Sequence, residues 1–100
     1  MPLVKLKLVT IVAERILAEQ LKEEIVELGA RGFTATQATG RGSRGVRAHE
    51  WEGPDIRLEA VVSPEVAQAI MEHCARRYFE HYAVIVYATD VEVLRGDKYV

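Results

Sequence analysis

Between Val4 and Val12 the apolar residues Val4, Leu6 and Leu8 alternate with Lys5 and Lys7, and β-branched side chains dominate. A two-residue period of this kind predicts a strand. From Glu14 to Leu28 the spacing changes. Leu17, Leu21, Ile25 and Leu28 recur at three- and four-residue steps among glutamates and lysines, and Gly29 follows. That is one apolar stripe of an amphipathic helix with a left-handed stop at its C-terminus. Phe33 to Thr39 mixes small, aromatic and threonine residues without a helical stripe and predicts a second strand. A third strand is predicted over Asp55 to Val62, where Ile56, Leu58, Ala60 and Val62 alternate with Arg57 and Glu59. Ser63-Pro64-Glu65 supplies an N-cap, a first-turn proline and a first-turn acid, and Val66, Ile70, Cys74 and Tyr78 then recur in steps of four, a helix running to about His81. Tyr82 to Thr89 is nearly all apolar, a fourth strand, and the tail from Asp90 to Val100 turns charged.

The order βαββαβ predicts an α+β fold of the ferredoxin-like type, a single domain over residues 1–100 with an antiparallel four-stranded sheet and both helices on one face. Ala83, Val84, Ile85 and Val86 are apolar at odd and even positions alike, so both faces of the fourth strand need cover and two helices shield only one. Either another subunit covers the second face, or Val91, Val93 and Leu94 of the tail fold back over it. The chain has 100 residues, short enough to gain much stability from oligomerising.

The net charge of -2 argues against a surface built to hold nucleic acid, so any basic site is local. Cys74 is the only cysteine, which excludes an intrachain disulfide and suggests a reducing compartment, the cytoplasm. No apolar run approaches the length of a membrane span, and the N-terminus does not resemble an export signal.

Against this background Thr39 to Arg47 stands out. It carries Gly40, Gly42, Gly45, Arg41, Arg44, Arg47 and Ser43 inside the long loop between the second and third strands, about residues 40–54. Glycines let backbone N–H groups face a concavity, serine adds a donor, and arginine forks pair with phosphate oxygens. The alternative is a solvated loop whose arginines confer solubility. The glycines formally spell a dinucleotide fingerprint, but the next element is a strand rather than a helix, and no Gly-Lys-Ser or Gly-Lys-Thr completes a phosphate loop. His73 and His81, with Cys74 beside the first, lie eight residues and so two turns apart on one helix, too far to share a metal ion easily, and His49 sits in the loop. Glu14, Glu19, Glu23, Glu24 and Glu27 read as the solvated stripe of the first helix. Cys74 reads as a buried, inert thiol. No prosthetic group, metal site or catalytic centre is expected. His49, Glu50, Trp51 and Glu52, near the tip of the long loop, read as a partner-binding segment that orders on contact, with Trp51 as an apolar anchor or packed back on its own subunit.

Lys7-Leu8-Val9, Gly29 to Thr34, Gly40 to Arg47, Arg77-Tyr78-Phe79 and His81-Tyr82-Ala83, in the βαββαβ order, resemble the PII-like signalling family, and within it the SbtB type linked to bicarbonate uptake. The resemblance implies a trimer with an adenine nucleotide (AMP, ADP, ATP or cyclic AMP) bound between subunits. The long loop would be the T-loop that meets partners. It also implies that Gly40, Gly42, Ser43, Arg44 and Arg47 hold phosphates, and that Thr34 and the backbone around Ala83 and Val84 hold adenine and ribose. The implied partner is a membrane bicarbonate transporter of the SbtA type, which would place the protein peripherally on the inner membrane. A carboxysome-associated nucleotide or bicarbonate sensor is a related alternative, and a divalent-cation-tolerance-type trimer a more distant one. The tail lacks the cysteine pair of redox-responsive SbtB proteins, which argues against redox gating. An RNA-recognition domain fits poorly, because the third strand carries no aromatic residue. An acylphosphatase-like enzyme would need an asparagine, and the chain contains none.

Overall fold

A computed structural model describes residues 2–40 and 55–100. The elements are β1 (Val4–Glu14), a 3-10 turn (Arg15–Leu17), α1 (Ala18–Glu27), β2 (Thr34–Ala38), β3 (Asp55–Val62), α2 (Pro64–Tyr78), β4 (Val84–Val93) and a C-terminal 3-10 turn (Gly96–Lys98). The sheet order is β2-β3-β1-β4 with every neighbouring pair antiparallel. This is the βαββαβ arrangement expected from the hydrophobic pattern.

Local chemistry explains the boundaries. The Ser63 hydroxyl accepts the Val66 N–H at 3.2 Å and starts α2 with Pro64 in the first turn. At the end of α1 the Ala30 N–H reaches the Ile25 carbonyl at 2.9 Å and the Gly29 N–H reaches that of Val26 at 3.1 Å, with Gly29 at φ 127°. These two bonds make a Schellman motif that ties up otherwise orphaned carbonyls. A Cβ at Gly29 would stand 2.8 Å from Val66 Cγ2, so the end of α1 packs tightly on the start of α2.

One sheet face, carrying Val9, Ile11 and Ala13 of β1 and Leu58, Ala60 and Val62 of β3, is buried with Leu17, Leu21 and Ile25 and with Ala67, Ile70, Cys74 and Tyr78 of α2. Val84, Val86 and Ala88 of β4 pack against the same core. The alternate residues of these strands point to the other face. There Ile85 is 58% and Tyr87 44% exposed.

Several element boundaries differ from the sequence expectation. β1 continues to Glu14 and the 3-10 turn intervenes, so α1 begins at Ala18. Glu14 is therefore not on a solvated helix stripe; it is 3% exposed at the end of a strand. β2 is a residue shorter at each end, and α2 stops at Tyr78 rather than His81. β4 starts at Val84 and runs on to Val93 because Val91 pairs with Leu6 and Val93 with Val4, which makes the expected tail valines part of the sheet. Beyond them the C-terminal turn does return over the second face, where Gly96 sits against Val4, but Ile85 and Tyr87 stay exposed.

Candidate functional site

On the second sheet face, between the entry to β2 and the C-terminal turn, lies a cleft of about 460 Å³. The Schellman turn at Gly29 directs Arg31, Gly32 and Phe33 toward the sheet, and Thr34 opens β2 opposite Glu59 of β3. Leu8 and Val61, cross-strand partners on β1 and β3, line the same cleft, and Lys98 and Tyr99 border it from the C-terminal turn. Glu59 is held in place: its Oε2 accepts the Thr10 hydroxyl at 3.2 Å and lies 3.6 Å from Arg57 Nη2. Lys98 Nζ stands 5.8 Å from the centre of the Tyr99 ring. The cleft thus combines apolar side chains, two aromatic rings, two cations and an acceptor carboxylate. That set suits a ligand with a flat apolar part, hydroxyl donors and an anionic group.

Of the expected site residues, Thr34 is in this cleft. Gly40, Ala83 and Val84 are not, because they occupy the opposite end of the sheet. Ala38 pairs with Asp55, Asp55 with Glu14, and the neighbouring Ala13 with Val84, so β2 leaves and β4 enters at one end. Thr34 lies four residues back along β2, roughly 13 Å at the usual strand rise. The Ala83 N–H is already donated to Glu14 Oε2 at 2.8 Å, which leaves the Ala83 carbonyl as its main-chain group for a ligand. Gly42, Ser43, Arg44, Arg47, His49, Glu50, Trp51 and Glu52, with most of the expected T-loop, lie outside the described residues.

A polar cluster that sequence reasoning missed joins the two helices. Tyr78 donates its hydroxyl hydrogen to Glu24 Oε1 and accepts from Gln20 Nε2 at 2.8 Å, and Arg77 Nε lies 3.1 Å from Glu24 Oε2. His73 Nε2 is 3.0 Å from Glu24 Oε1 without the alignment of a hydrogen bond. Burial and the bond to Glu24 push the Tyr78 hydroxyl above its usual range. Glu24 therefore holds helix against helix rather than lying on a solvated stripe. The only available signal was its four-residue spacing from Gln20, which does not reveal a partner on another helix. His81 is exposed beside Glu80, and no group of three or more metal-ligating side chains occurs among the described residues. No helix among them is long and apolar enough to cross a membrane.

The sequence model of the family described as nitrogen regulatory protein P-II matches residues 6–98. This chain belongs to the P-II family. A protein of Thermus thermophilus described as PII-like and signalling is 57% identical over the whole of both chains, with a TM-score of 0.86. CPII of Thiomonas intermedia, in a structure with ADP and bicarbonate, is 26% identical over 99% of this chain and 98% of that one, with a TM-score of 0.84. The same protein with ADP, AMP and acetate superposes with a TM-score of 0.83 at 24% identity. The PII fold thus accounts for the sheet order and the helix-covered face described above.

Proposed function

We propose that this P-II family member is a non-enzymatic sensor. It assembles as a trimer, binds an adenine nucleotide between subunits, and signals that state to a partner protein through the loop at about residues 40–54. The observation that carries this reading is the separation of two partial sites on one chain. Thr34, with Arg31, Glu59, Lys98 and Tyr99, lies at one end of the sheet, while Gly40, Ala83 and Val84 lie at the other. A nucleotide that meets both sets draws them from two neighbouring chains, and the exposed Ile85 and Tyr87 offer the surface through which neighbours join. The base would lie on Tyr99 and Phe33, with Thr34 and Glu59 of one chain and the Ala83–Val84 backbone of its neighbour reading its polar edge and ribose, and Arg44, Arg47 and Lys98 would neutralise phosphates.

The ADP and bicarbonate bound by CPII favour a link to inorganic carbon over nitrogen sensing. On this reading the partner is a bicarbonate transporter of the SbtA type at the inner membrane, and a carboxysome-associated sensor is the second possibility. Calorimetric titration with AMP, ADP, ATP and cyclic AMP, each with and without bicarbonate, tests the ligand class. Saturable binding of at least one nucleotide supports the reading, and its absence at millimolar concentration overturns it. Co-purification with the transporter, gained or lost on adding the nucleotide, tests the partner.

A further inference from the structure

β1 ends abruptly. Glu14 is its last residue, and the chain then turns into the 3-10 segment Arg15–Leu17. The ladder between β1 and β4 closes with Ala13 opposite Val84, so the next amide on β4's approach, that of Ala83, lies past the last backbone pair. The Glu14 side chain takes over there: its Oε2 accepts the Ala83 N–H at 2.8 Å. Glu14 is 3% exposed, and so is committed to the interior. A buried carboxylate is expensive to hold unless hydrogen-bonded, and a charge-assisted bond to a backbone amide is about twice as strong as a neutral one. A residue kept at this cost fixes the backbone it touches. Glu14 also lies directly opposite Asp55, which in turn faces Ala38, so this carboxylate stands in a row that crosses the sheet between the start of β4 and both feet of the long loop.

We infer that Glu14 is a positioning residue for nucleotide recognition. Its carboxylate extends the β1–β4 ladder by one side-chain bond and so sets the Ala83–Val84 backbone at the height and angle a nucleoside needs. The inference rests on the reading given under Proposed function, since it assigns that backbone to the nucleoside. It makes a distinction the loop arginines do not. Arginines act on phosphates, so their loss should be felt in proportion to phosphate number, whereas a misplaced Ala83–Val84 backbone should weaken adenosine, AMP and ADP alike.

The test is calorimetric titration of the full chain with adenosine, AMP and ADP. It compares wild type with Glu14→Ala, with Glu14→Asp, which keeps the charge but shortens the reach by one methylene, and with Glu14→Gln, which keeps an acceptor oxygen at the original reach. Light scattering and circular dichroism confirm assembly and folding of each. The expected result is a loss of about tenfold for all three ligands in Glu14→Ala and Glu14→Asp, the size of one charge-assisted contact, with Glu14→Gln close to wild type. Should Glu14→Ala not fold, the contrast between Glu14→Asp and Glu14→Gln carries the same decision. Wild-type affinity in every folded variant overturns the inference, and so does a loss that grows with phosphate number. A wild type that binds none of the three overturns the reading on which the inference stands, and that outcome is visible before any variant is made.

Discussion

Cys74 is fully buried on the core side of α2, and burial, reinforced by the Glu24 carboxylate, pushes its thiol from 9.0 up to about 11. Between those two values the unfolded chain gives up this proton while the folded one keeps it. The thiol's contribution is therefore intact below pH 9 and is lost as pH rises toward 11, at up to about 1.4 kcal/mol per pH unit. Chemical denaturation at pH 8 and pH 10.5 should show a smaller drop in stability for Cys74→Ala than for wild type. Equal drops would mean that another group carries the alkaline sensitivity. The arginines make a second prediction at this scale. Replacing Arg44 and Arg47 together by alanine should weaken ADP and ATP more than tenfold, since about 1.4 kcal/mol is a factor of ten, and leave adenosine nearly unchanged. Unchanged ADP affinity would return that loop to the solvated alternative. The buried thiol was legible from the apolar stripe of α2. The role of Glu14 was not, because a carboxylate at a strand end and one on a helix face read alike until the chain's turn at Arg15 is known. Lys98 and Tyr99 were missed for a related reason: nothing in the sequence tells which distant strand a short polar tail will meet.

Among the elements, β4 and the C-terminal turn depart most from their expected form. Charged Asp90 and Glu92 made Asp90–Val93 look like tail, yet Lys7 pairs with Asp90 and Lys5 stands opposite Glu92, so the charges are cross-strand matches to β1. Opposite charges facing across a ladder stabilise it, an effect invisible to a pattern read one strand at a time. Past β4, Arg95 takes a left-handed conformation at φ 57°, and the chain doubles back to seat Gly96 on Val4. A Cβ at residue 96 would stand 2.8 Å from Val4 Cγ2, so Gly96→Ala should displace the turn that carries Lys98 and Tyr99. We expect ADP affinity to fall in Gly96→Ala while the fold persists, and to recover in the double variant with Val4→Gly, because the Val4 Cβ itself would stand 2.9 Å from the added methyl. A double variant as weak as the single one would show that the turn does not seat through this contact. The helices, by contrast, kept the stripes their periodicity implied, because each buries one face against one sheet.

For the whole molecule, the helix-covered face was predictable from alternation, and the second face posed a question with two answers. The structure divides it: the C-terminal turn packs Gly96 against Val4 at the start of β1, and Ile85 and Tyr87 remain exposed on β4. A trimer would bury them, so light scattering at micromolar concentration should give about three times the chain mass, and Ile85→Glu should shift the population to smaller species. A wild-type monomer would remove the shared site. Shared binding of an adenine nucleotide by neighbouring chains is tested by titrating ADP calorimetrically into wild-type protein and into Ile85→Glu. Such sharing predicts saturable binding of one ADP per chain to the wild type and loss of that binding where assembly is lost; no binding to assembled wild-type protein, or equal affinity in a folded monomeric variant, would contradict it.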